Sequence, residues 1–142
     1  MGPGHPDLLH PFFQEVLLGL QHGAGSRGYD LLLFATDEPG DVFGGTHSYF
    51  RRAEHHGVGG VVVMGFDGSH PEMQKLIASD VPCMAVDAEL GGARSGSVMS
   101  QNREGAVQAV RHLHELGHER IATIAGPLRT RPGADRLAGY RE

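Results

Sequence analysis

The chain is poor in several features that would assign it quickly, and each shortage excludes something. It has one cysteine, Cys83, so no internal disulfide can form, and a reducing cytoplasm is the expected location. Its twelve basic residues include one lysine, Lys75, and seventeen acidic residues bring the net charge to −5. A surface of that sign has no general attraction for nucleic-acid phosphates. No apolar run approaches the ~20 residues that cross a bilayer, and no charged-then-apolar leader opens the chain. A membrane partner is therefore not expected. There is no internal repeat, and the 22 glycines punctuate periodic segments rather than forming a low-complexity tract.

What is there is an ordinary soluble composition, 39% hydrophobic and 20% charged, over 142 residues, enough for one domain with a core. Pro11 to about Gln21 carries Phe13, Val16, Leu17 and Leu20 on one face, which predicts a packed helix. Tyr29 to Thr36 is a nearly continuous apolar run, as in a strand covered on both faces. A weaker helix follows from about Thr46 to His55, then a strand over Gly60–Met64 and a short helix over Pro71–Ser79. Pro82–Val86 and Ser97–Ser100 read as two further strands, joined by a glycine-rich link without helical period. Asn102 is placed to cap a long helix with the stripe Ala106, Val110 and Leu113, which Gly117 stops. Ile121–Ala125 reads as the last strand, and a glycine-proline loop opens a final helix.

Alternation of this kind predicts an α/β protein, a mainly parallel sheet with helices on both faces in three layers. A doubly wound half normally opens with a strand, yet Met1 to Leu9 holds Pro3 and Pro6, which oppose an interior strand. The sheet is therefore expected to lack a member, a central one. We expect an irregular segment over residues 1–10, a lobe over 11–127, and over 128–142 the start of a crossover that is cut off.

Several segments, in order, resemble the effector-binding region of the lactose-repressor (LacI/GalR) family, itself similar to periplasmic sugar-binding proteins. They are His10–Phe13, Arg27–Leu33 with Thr36–Asp37, Gly57–Val61, and Val81–Pro82 leading to Val86–Asp87. The most specific close the chain: Ala109–Leu113, Leu116–His118, Arg120–Ala122, Ala125–Pro127 and Arg136–Tyr140. The resemblance implies a periplasmic-binding-protein-like half of a two-lobed sensor, with a sugar or purine-like effector held between the lobes. It implies homodimers, and a separate helix-turn-helix head for operator DNA, to which nothing before His10 corresponds. No cofactor, metal or enzymatic activity is implied. A transport-type sugar-binding lobe is the alternative, ranked lower because such proteins carry an export signal.

Open α/β sheets bind ligands outside the carboxyl ends of their strands. That rule selects Asp37, Phe66 and Asp67, Asp87, and Gln101 with Asn102. Phe12 and Phe13 match the family segment that flanks the effector; Phe13 fits the helix core better, and Phe12 the ligand side. Asp37 is equally a strand-terminating turn residue. Arg136 matches the arginine that reaches the family's effector site, and its planar fork suits vicinal hydroxyls or carboxylates; the bland alternative is a solvated helix arginine. Where the family often has aspartate or asparagine before the long helix, this chain has Ser100–Glu104, leaving Gln101, Asn102 or Glu104 to make the polar contact.

Other patterns carry less. His114–Glu–Leu–Gly–His118 spells the zinc-protease HExxH, but Gly117 should end the helix before His118 can share its face. Gly40–Thr46 lacks the lysine of a phosphate loop, and Ala93–Gly96 lacks the first glycine of a serine elbow. Cys83 reads as a small buried hydrophobe. A phosphoreceiver built on Asp67 lacks both its acidic cluster and its lysine.

Overall fold

A computed structural model describes residues 10–34, 49–64 and 71–142. In chain order the elements are α1 (Pro11–Gly25), α2 (Tyr49–His55), β1 (Val61–Met64), α3 (Pro71–Ile77), β2 (Cys83–Val86), β3 (Ser95–Val98), α4 (Asn102–Glu115) and α5 (Arg131–Tyr140). The sheet has three strands in the order β1-β2-β3, all parallel, with Val61 opposite Cys83 and Cys83 opposite Ser95. The α/β class with a parallel sheet is thus the observed one.

The core sits between this sheet and α3. Val63, Cys83 and Ala85 point to one face and meet Met73 and Leu76, both fully buried, with Ala88 and Leu90 from the link after β2. Burying the Met73 and Leu76 side chains stabilises the fold by about 1.5–3 kcal/mol each. Period-2 alternation turns Val62 and Met84 to the opposite face, where they are 40% and 41% exposed. Helix cover over these strands therefore lies on one face among the described residues.

Two expected strands are not strands. Leu31–Phe34 and Ile121–Ala125 make no ladder. Leu32, Leu33 and Ile124 are 53%, 60% and 101% exposed. An apolar run becomes a strand only when a neighbour takes its backbone N–H and C=O groups. Among the described residues none pairs with either run. The strand predicted at Ser97–Ser100 is instead Ser95–Val98, two residues earlier.

The helices follow the pattern more closely. On α1, Phe12, Phe13, Val16, Leu17 and Leu20 are half-buried, although no residue of that helix is fully buried. His10, not a residue of the predicted set, caps it through Nδ1, which accepts from the Phe12 amide at 3.3 Å. The stop of α4 is as expected: Gly117 has φ +87°, its amide donates to His114 O, and the His118 amide donates to Leu113 O. These are the two bonds of a Schellman motif. At the start of α4 the cap position is Gln101, with no side-chain cap bond, and Asn102 is the first helical residue. The expectation that Asn102 caps the helix is corrected: its Nδ2 donates to Ser100 O, and its Oδ1 is engaged elsewhere.

The main packing partner of α4 is α5. Gly139 is buried, and a Cβ there would overlap the Arg103 carbonyl oxygen and lie 3.0 Å from the Ala106 Cβ. The helices are close because that position has no side chain. Arg103 pairs with Glu142 beyond the end of α5. Tyr140 Oη donates to Ile121 O at 2.7 Å, so the unladdered run 121–125 is tied to α5.

Candidate functional site

Asn102 and Arg136 come together from the two helices. Arg136 Nε donates to Asn102 Oδ1 at 2.7 Å, 34 residues away in sequence. The approach follows from helix geometry: Asn102 opens α4, and Arg136 lies on α5, which Thr130 caps by accepting from the Gly133 amide. Thr130 Oγ1 also donates to Pro127 O at 2.7 Å, which binds the Gly126–Pro127 loop to the helix start. Gly133 is required there, since a Cβ would overlap the Pro127 carbonyl. Arg136 is exposed, and its terminal nitrogens carry no hydrogen bond to the described residues. A guanidinium has five donors, so most of this fork is directed at solvent.

Asp87 stands at the carboxyl end of β2 and is the one non-glycine residue with positive φ among those described, at 56°. Its amide donates to Val98 O at 2.9 Å, and its Oδ1 accepts from the Ser100 amide at 3.3 Å. Aspartate tolerates this conformation, and such positions concentrate at functional turns. The aspartate side chain therefore fastens the stretch that leads from β3 through Ser100 and Gln101 to Asn102. The sequence marks Asp87 as a strand-end residue within the family-like Val86–Asp87 segment; its pairing with Ser100, thirteen residues on, has no local signature.

Arg131 belongs to the cluster of arginines near the end of the chain, where an anionic contact is possible, but sequence did not single out Glu89 as its partner. Arg131 NH1 meets Glu89 Oε2 at 2.9 Å, and its Nε spans Asp135 at 2.9 and 3.0 Å. The hydrogen bond to Asp135, followed by the charges of Asp135 and Glu89, holds the guanidinium protonated still more firmly than usual. No short-range pattern announces Glu89–Arg131, which are 42 residues apart.

Phe12 and Phe13 form a separate group at the start of α1. Their rings meet edge to face at 5.2 Å, and His10 approaches Phe13 at 6.2 Å. Both are half-buried, so the expected division into a core Phe13 and a ligand-facing Phe12 is not visible in exposure. Asp37, Phe66 and Asp67 lie outside the described residues. Gln101 is exposed beside Asn102, and its carbonyl accepts from the Gly105 amide.

Two clefts lie elsewhere. One of about 930 Å³ is bordered by Phe34, Phe50, Arg52, His55 and His56, with the Arg52 guanidinium 5.8 Å from the Phe34 ring centre. The other, about 510 Å³, runs between α1 and Tyr29–Leu33. Neither is lined by Asn102 or Arg136. The HExxH pattern does not assemble: His114 is on α4 while His118 follows the left-handed Gly117. No group of three metal-binding side chains occurs among the described residues. No helix described is long and apolar enough to cross a membrane.

With this geometry in hand, the comparisons with known proteins are specific. Residues 5–142 match the family described as periplasmic binding proteins and sugar binding domain of LacI family. The ribose operon repressor of Halalkalibacterium halodurans is 31% identical over 96% of this chain, which spans 39% of that protein. A solved regulatory protein of LacI family from Chloroflexus aggregans superimposes with a TM-score of 0.75 at 27% identity, over 99% of this chain and 49% of that one. A structure of the transcriptional regulator CelR in complex with cellobiose gives 0.68 at 28% identity, over 92% and 39%. The chain thus spans between about two-fifths and one-half of the proteins it is similar to. It belongs to the family of periplasmic binding proteins and LacI-type sugar-binding domains.

Proposed function

We propose that this chain is part of the effector-sensing region of a LacI-type transcriptional regulator, and that its effector is a sugar. The observation that carries the reading is the Arg136–Asn102 pair, held between the first turn of α4 and the middle of α5. The guanidinium donates one bond to the amide oxygen through Nε and keeps its terminal nitrogens toward solvent. A hydroxylated ligand exchanges that bond for two: the fork donates to ring oxygens or vicinal hydroxyls, and Asn102 Oδ1 accepts from a hydroxyl. Binding that favours one arrangement of the lobes over another shifts their populations, which is how a sensor of this kind signals.

The relatives support the sugar class, since one is named for ribose regulation and another was solved with cellobiose. A purine-like effector is the alternative ligand. A transport lobe is a weaker reading, because the matched proteins are named as regulators. In this reading operator DNA is contacted by a helix-turn-helix head rather than by these acidic residues, the active form is a homodimer, and the protein works in the cytoplasm. We assign no catalytic role to any residue.

The packing bears on the lobe boundary as well. Because α4 packs on α5 with Gly139 against Arg103, we place α4, the run 118–125 and α5 together. The first lobe then ends near residue 100 rather than at 127, and Arg136 and Asn102 belong to the second lobe's edge of the effector site. The test is thermal unfolding of wild type and Arg136→Ala against D-ribose, D-xylulose, cellobiose and purine bases. A ligand at 100 times its Kd stabilises by about 2.7 kcal/mol. The wild type should gain this from one compound and Arg136→Ala should not. Equal gains in both remove Arg136 from the site.

A further inference from the structure

We infer that Glu89 and Arg131 form a positioning pair, which sets where Arg136 is presented by tying the first residue of α5 to the core of the β-sheet. The inference rests on the proposed role of Arg136, and its test requires no sugar.

Glu89 is a fixed post despite being exposed. Its neighbours Ala88 and Leu90 are buried at 6% and 8% exposure in the sheet core, and the Leu90 amide donates to Ser97 Oγ of β3 at 2.8 Å. Chain held on both sides leaves the carboxylate little freedom beyond its own rotamers. Arg131 is equally defined. It is the first residue of α5, its backbone is fixed by the Thr130 cap, and its guanidinium is oriented by Asp135 one turn on. The bond between Arg131 NH1 and Glu89 Oε2 therefore joins two ordered points rather than two floppy chains. Arg136 lies five residues further along the same helix, ~7.5 Å in rise. Any sliding or rotation of α5 at Arg131 is carried to Arg136, and with it the 2.7 Å bond to Asn102.

Both side chains are half-exposed or more, so the tie is weak in energy and sensitive to salt. An exposed pair of this kind biases an equilibrium by about two- to five-fold. That suits a contact which must open when lobes move.

The experiment is proton exchange at Arg136 Nε, followed by NMR in the 142-residue chain, with the α4 backbone amides as internal reference. Glu89→Gln should speed this exchange about two- to five-fold and leave the reference amides and the urea midpoint unchanged. Arg131→Gln should do the same, and the double variant should be no faster than either single one. Glu89→Asp, which keeps the carboxylate, should restore most of the protection, and high salt should reproduce the loss. Unchanged exchange in Glu89→Gln overturns the inference. So do effects that add in the double variant, or a rise shared by the α4 amides, which would signal general loosening. An Arg136→Ala protein with normal sugar response would instead sink the effector-site reading while leaving this coupling result standing.

Discussion

Replacing Gly139 by alanine should destabilise the protein, although alanine is the better helix former. Two terms oppose each other. Relieving a helix-interior glycine is worth about 0.8–1.0 kcal/mol. Against it, the new methyl overlaps the Arg103 carbonyl and crowds the Ala106 Cβ at 3.0 Å. Overpacking costs about 1–3 kcal/mol. The upper half of that range applies because the obstacles are a backbone oxygen and a short methyl, neither of which has a rotamer to move into. The net loss is about 1–2 kcal/mol. Gly105→Ala supplies the contrast: it lies on the exposed side of α4, nothing is within 4 Å of its Cβ, and it should gain up to about 1 kcal/mol. Urea unfolding followed by circular dichroism measures both. A Gly139→Ala midpoint at or above wild type, moving in step with Gly105→Ala, would refute the close α4–α5 contact.

Three further outcomes are expected. Leu76→Ala, at a fully buried position between α3 and the sheet, should cost about 2–5 kcal/mol by the same urea assay; a loss under 1 would mean this core is not closed. Burial pushes the Cys83 thiol above its ordinary value near ~8.5. The folded state then holds the proton more tightly than the unfolded one, so this contribution is complete below the unfolded value and is lost as pH rises through the folded one. Wild type should thus lose more stability than Cys83→Val as pH rises above about 8.5, and parallel curves would contradict the burial. Metal analysis of the purified chain should find no stoichiometric zinc, because His114 and His118 do not share a helix face; one equivalent, lost in His118→Ala, would restore the HExxH reading.

The helices and the three paired strands were legible because their signals are local. The 13-16-17-20 stripe of α1, the run of valines in β1 and the glycine after α4 each act within a few residues. Leu31–Leu33 and Ile121–Ala125 were misread for the opposite reason. Their apolarity is real, but a strand is a relation to a neighbour, and composition cannot supply the neighbour's hydrogen bonds. Pro3 and Pro6, on which the expectation of a missing strand rests, lie outside the described residues. At the candidate site, Arg136 and Asn102 were found separately by resemblance and strand-end position, whereas their contact depends on α4 packing on α5. The Asp87–Ser100 and Glu89–Arg131 contacts are products of tertiary folding, and no spacing within one element points to them.

The most direct test of the central claim is an NMR titration that follows Asn102 Nδ2 and Arg136 Nε together while sugars are added to the 142-residue chain. The account predicts saturable shifts at both groups with one sugar and a single shared Kd. Shifts that saturate instead around Phe34, Arg52 and His56, with Asn102 and Arg136 unmoved, would place the ligand in the other cleft and contradict it.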